Sequence, residues 1–240
     1  MNDKEIDELL ERAAGSPQEV DRTLLERVSA TMTVSLRPVR PMAAAPVLAL
    51  QLWSIAVVLG VAAAWMLGFY GIPKMDVAEI GSIFPALLIF TWLAAVLSVA
   101  ETTPGGLRWK NPKVTDPVMR NRGILLLVVM VIWIGLSALC FHNYELGAFV
   151  PQGMSCLRAG LLVAIPTGVA SWLVLRRGFA VRPVGAGVAA GTLAGLAGLL
   201  MLEIHCPNFR APHIMVWHTA VVPLSAFAGG LMVRIATRRS

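Results

Sequence analysis

The chain has 240 residues, 57% of them hydrophobic and only 14% charged, and a net charge of +6. A soluble globular domain carries about 25% charged residues, so an ordinary water-soluble fold is excluded. The surplus of cations must be placed along the chain before it is read as affinity for nucleic acid.

Residues 1–42 are the polar part. Ile6, Leu9, Leu10 and Ala13 share one helical face, and Asn2 with Glu5 has the spacing of a capping box. The "GSP" at 15–17 breaks that pattern. Ser16 then reads as the N-cap of a second helix, with Pro17 at its first position and Glu19 as the box partner. Val20, Leu24, Val28 and Met32, with Leu25 beside them, form its apolar stripe. "RPVRPM" at 37–42 ends this helix and makes a stiff linker. Eight acids against four bases up to Leu36 make the arm net negative, which suits anionic lipid poorly. Below about 40 residues a chain rarely builds its own core. The expectation is therefore a pair of amphipathic helices that dock Ile6, Leu9, Leu10, Val20, Leu24, Leu25 and Val28 onto a protein partner with a basic surface.

Residues 43–240 contain six blocks free of Asp, Glu, Lys and Arg, at about 47–70, 82–100, 123–141, 159–175, 184–202 and 214–233. A helix needs about 20 apolar residues to cross the hydrocarbon, and helices pair their backbone groups internally. The expected fold is all-α: a six-helix transmembrane bundle behind a short helical arm. The first block follows a long charged segment, so it is expected to stay as an anchor rather than be cleaved. Within the fifth block Gly187, Gly191 and Gly195 recur every four residues, a close-packing face between helices. Whether the protein forms a homo-oligomer is left open.

Charge gives the orientation. Arg37 and Arg40, the loop with Arg108, Lys110, Lys113, Arg120 and Arg122, the loop with Arg176, Arg177 and Arg182, and the tail with Arg234, Arg238 and Arg239 alternate with loops that hold only Lys74, Arg158 and Arg210. Thirteen cations face three. Cationic short loops stay in the cytoplasm, so both termini are expected inside a bacterial inner membrane and the +6 needs no nucleic acid to explain it.

All four histidines and all three cysteines then fall at or near the outer, periplasmic side: Cys140, His142, Cys156, His205, Cys206, His213 and His218. Thiolate and imidazole are good ligands for Zn²⁺ and related ions, so His142, His205, His213 and His218 are candidate ligands beside the cysteines. No resident cofactor is indicated; Zn²⁺ or another heavy-metal ion is expected as a signal. His213 and His218, five apart, do not share an α-helical face. The alternatives for Cys156 and Cys206 are a thiol sensor or a static disulfide between two loops of one oxidising compartment. Cys140 reads as a small core residue. The blocks place almost no ionisable group mid-membrane, where transporters and pumps carry theirs. GxSxG, phosphate-loop and HExxH signatures are absent, and no enzyme is expected.

With an "RPxRP"-like linker, six blocks, "GMSCLR" at 153–158, "HCP" at 205–207 and "VWH" at 216–218, the chain resembles the NrsF family of membrane anti-sigma factors over nearly its whole length. That resemblance implies an arm that holds an extracytoplasmic-function sigma factor at the membrane. It also implies two outer cysteines, by motif Cys156 and Cys206, that sense heavy metal or oxidative stress and release it. The competing reading is a small membrane metal or redox carrier whose outer His/Cys cluster binds the cargo; another is a passive subunit that docks its glycine face on a second membrane protein.

Overall fold

The computed structural model describes residues 22–35, 43–102, 122–176, 178, 180 and 182–238. The chain divides into two compact units, Met1–Pro41 and Met42–Ser240. In the first, helix α1 runs Arg22–Ser35; Leu24, Leu25 and Val28 lie on it, and Val28 is half exposed. Of the other expected arm contacts, Ile6, Leu9, Leu10 and Val20 lie outside the described residues.

The second unit is built of α2 (Ala45–Leu67), α3 (Val77–Thr102), α4 (Arg122–Cys140), α5 (Phe149–Leu175), α6 (Pro183–His205) and α7 (Ala211–Thr237), with no strand among the described residues. α2, α3, α5, α6 and α7 are long and apolar enough to cross a membrane. In α4 the stretch Val128–Cys140 is apolar. Most helices outrun the expected blocks because an uncharged block marks only the part suited to hydrocarbon, whereas backbone pairing continues past it; α2 instead stops at Leu67, three residues short of its block, where Gly68 caps it. At α3 a capping box explains the earlier start: Glu79 N–H donates to Asp76 Oδ1 at 2.7 Å and Asp76 N–H to Glu79 Oε2 at 2.9 Å. At α5 the helix begins ten residues before the block 159–175, carrying Cys156 and Arg158 on its first turns.

α6 is the hub, packed against α7, α5, α3 and α2, and its residues Leu193–Ile204 are all buried. The glycine stripe makes this possible. A Cβ at Gly195 would lie 2.7 Å from Val222 Cα, one at Gly187 would lie 2.5 Å from Gly229 O, and one at Gly191 would overlap Ser225 O. The stripe is consumed inside the bundle by α7, which corrects the reading in which it is offered to a second membrane protein. Buried hydroxyls return their protons to their own helix: Thr91 to Leu87 O, Ser98 to Ala94 O, Ser137 to Trp133 O and Thr167 to Val163 O. The outward faces are apolar, with Val58, Leu162, Ile165, Phe227 and Met232 exposed. A surface this apolar is suited to lipid rather than water.

Helices consecutive in the chain alternate in direction, so that α2 and α6 run parallel. At one end the close of α2 meets that of α6, where Tyr70 stacks edge-on to His205. The close of α4 reaches the same end, where Phe141 stacks on Phe209. α5 and α7 start there. At the opposite end, Glu101 near the close of α3 lies beside Gly185 near the start of α6.

Candidate functional site

The cysteine end is organised by how α6 stops. Cys206 caps that helix, its N–H on Leu202 O at 2.8 Å, and Pro207 cannot continue it. The last turn of α6 and the segment after it are tied on three sides. Gly71 N–H donates to Ile204 O at 3.0 Å and Ala211 N–H to Asn143 O at 2.8 Å. Asn208 donates to Gln152 Oε1 at 2.7 Å, and Arg210 donates to Gly147 O while pairing with Glu145 at 3.4 Å. Gly71 is required at its position, because a Cβ there would press on three carbonyl oxygens, of Glu203, Ile204 and Cys206.

Cys156, on the second turn of α5, brings its Sγ to 3.5 Å from Cys206 Sγ. Both are free thiols. Cys206 Sγ lies 3.6 Å from His213 Nε2, and the rings of His213 and His218 meet edge to face at 5.0 Å. Five-residue spacing puts two side chains about 140° apart on an α-helix, so these histidines were not expected to share a face. The structure removes the mismatch: Ile214–His218 is a π-helical segment within α7, whose i to i+5 repeat brings the two into line. Behind His218 stands Glu203, with Nδ1 donating to Oε1 at 2.9 Å and both side chains fully buried. One ligand atom from each of Cys156, Cys206, His213 and His218 lies within 4.8 Å of the others.

The remaining candidates are not brought into this group. His205, next to Cys206 in sequence, turns to Gly68 O at 2.9 Å and to Tyr70. His142 is exposed beyond the end of α4. Cys140 contacts Ser82, Sγ to Oγ 3.3 Å. Glu203 was not singled out as a functional residue; the available signal was a lone acid abutting an apolar block. Trp217 packs so tightly on Gly153 that a Cβ there would overlap the indole.

A cavity of about 1150 Å³ opens onto the thiols, lined by Cys156 and Cys206 with Lys74, Gln152, Asn208 and Arg210 among its walls. It reaches the pair from the end of the bundle rather than from its apolar flank. The Cys206 thiol is held above its ordinary range, first by its hydrogen bond to Cys156 and then by burial, against the opposing pull of His213 and His218.

A family profile described as NrsF, negative regulator of sigma F, matches residues 32–238. The chain belongs to the NrsF family. No curated relative and no solved structure matches it. The NrsF match takes in "SCLR", "HCP" and "VWH" and the whole helical bundle, while residues 1–31 lie before it. As a member of NrsF the chain is a negative regulator of a sigma factor, and five of its helices suit a membrane.

Proposed function

We propose that this protein is an inner-membrane anti-sigma factor. Its bundle crosses the membrane six times, α4 included, with both termini in the cytoplasm. The arm at 1–42 holds an extracytoplasmic-function sigma factor, and Cys156 and Cys206 release it when heavy metal or an oxidant reaches them from the periplasm. The single observation that carries this reading is the 3.5 Å approach of two free thiols from separate segments, open to the cavity, in a chain of a family of negative regulators. Charge on the loops and the alternating helix directions support the sidedness.

Two signals act on such a pair. A divalent ion replaces the two thiol protons. A hydroperoxide takes two electrons and two protons, leaving a disulfide, an alcohol and water. A disulfide draws α5 toward the end of α6, whereas an ion locks the two segments at about the separation they already have. The link onward is α2, since Ile204 O and His205 hold Gly71 and Gly68 at the close of that helix, and the start of α2 follows the arm linker directly. A signal shifts this equilibrium only by its differential affinity for the sigma-bound and released states.

Purification of the tagged full chain from membranes tests the reading. A sigma factor is expected to copurify, to be lost when residues 1–36 are deleted, and to be released by metal or peroxide from the wild type but not from a Cys156→Ser, Cys206→Ser double variant. Normal release from the double variant contradicts the sensor, and undiminished copurification after the deletion contradicts the arm. A carrier of metal or redox equivalents would keep its activity after that deletion.

A further inference from the structure

We infer that Cys156, Cys206, His213 and His218 form a closed four-coordinate site for a borderline or soft divalent ion such as Zn²⁺, with Glu203 as the residue that positions His218. This deepens the sensor reading and rests on it for the two thiols; the imidazoles and the carboxylate are additional.

Three independent features point to an ion. The first is spacing. Tetrahedral zinc sites have Zn–S of about 2.3 Å and Zn–N of about 2.0–2.1 Å, which sets ligand-to-ligand edges of about 3.3–3.8 Å. The sulfur-to-sulfur distance is 3.5 Å and the sulfur-to-His213 distance 3.6 Å, and one atom from each of the four residues falls within 4.8 Å of the others.

The second is an orphaned nitrogen. His218 is fully buried, its Nδ1 is committed to Glu203, and its Nε2 has no hydrogen-bond partner. A buried polar atom left unpaired destabilises the fold unless something outside the chain pairs it. Donation from Nδ1 to a carboxylate fixes the tautomer that presents the Nε2 lone pair, and carboxylate–histidine–metal is the recurrent outer-sphere arrangement at zinc. Without an ion the Glu203–His218 pair is a buried polar couple aimed at two thiols.

The third is the π segment. Uniform α-helix would swing His218 away from His213; the extra residue of Ile214–His218 returns it to the group. Single π turns inside α-helices gather at functional sites.

Donor chemistry sets the ligand class. Two thiolates and two imidazoles favour Zn²⁺, Cd²⁺ or Co²⁺ over Mg²⁺ and Ca²⁺, which require oxygen. Four protein ligands leave no open position, as in structural rather than catalytic zinc sites. Loading the reduced site converts two thiols to thiolates and releases two protons to solvent, so apparent affinity rises with pH.

The test uses the purified, reduced full chain in detergent with Zn²⁺ as the probe. X-ray absorption at the zinc edge is expected to show two sulfur and two nitrogen neighbours, at about 2.3 and 2.0 Å. Chelator competition is expected to give one ion per chain, an affinity about 10- to 100-fold weaker in Glu203→Gln, and no change in His142→Ala. A zinc shell without imidazole, an unchanged affinity in Glu203→Gln, or no binding by the reduced wild type overturns the proposal. Should zinc fail to bind while peroxide still releases the sigma factor through Cys156 and Cys206, this site falls and the sensor reading stands. Should the four-ligand shell be found while the Cys156→Ser, Cys206→Ser variant responds normally, the site stands and the sensor reading falls. The absorption measurement on wild type decides the matter even if a variant does not fold.

Discussion

At the scale of single residues, the cysteine end separates neighbours in sequence from neighbours in space. His205 and Cys206 are adjacent, yet the cap of α6 sends one to Gly68 and the other to Cys156. His205 therefore serves contact with α2 rather than the thiol group. His205→Ala is expected to leave zinc affinity unchanged and to move the signal concentration needed for release about 2- to 30-fold, the range of 0.5–2 kcal/mol in coupling. A dose–response of sigma release measures this, and an unshifted curve removes α2 as the link. The nearness of Cys156 and Cys206 was legible in the sequence, because both fall in the poorly cationic connections between the uncharged blocks. The roles of His213 and Glu203 were not. The first depends on a π turn, which hydrophobic periodicity does not encode. The second depends on α6 and α7 placing residues fifteen apart, Glu203 and His218, side by side inside the bundle.

At the scale of elements, what the sequence shows depends on whether a local rule governs. Uncharged blocks located the apolar helices because exclusion of charge from hydrocarbon is a per-residue cost. They missed the starts of α3 and α5, which are set by a capping box and by helical turns that precede the uncharged block. The glycine stripe was legible as a packing face, but its partner was not: only the fold assigns Gly187, Gly191 and Gly195 to α7. Gly191→Val should therefore destabilise the purified bundle by about 1–3 kcal/mol of overpacking. Gly81→Ala, in a place with nothing within 4 Å of the new Cβ, should gain up to about 1 kcal/mol of helix propensity. Thermal unfolding of the two variants in one detergent checks the contrast, and equal melting temperatures would count against the α6–α7 interface.

At the scale of the whole molecule, the proposed regulation depends on lipid standing between the thiol pair and the arm. The sidedness comes from thirteen cations against three on alternate loops and agrees with helices that alternate in direction. The geometry adds a cavity through which Cys156 is approached from the end of the bundle. The cavity belongs to residues within 43–240, and so do all the counted cations except Arg37 and Arg40. The arm contributes a short helix whose apolar residue Val28 stands exposed, in keeping with a surface that a partner covers.

The most direct measurement is labelling by a membrane-impermeant maleimide on intact spheroplasts after mild reduction. It uses a Cys140→Ser, Cys206→Ser background that leaves Cys156, and separately a Ser240→Cys variant of a chain stripped of its own cysteines. Labelling of Cys156 in intact cells, with the introduced terminal thiol reached only after detergent opens the membrane, is the predicted result. Protection of Cys156 until detergent is added, or labelling of the terminus in intact cells, would contradict regulation across the membrane.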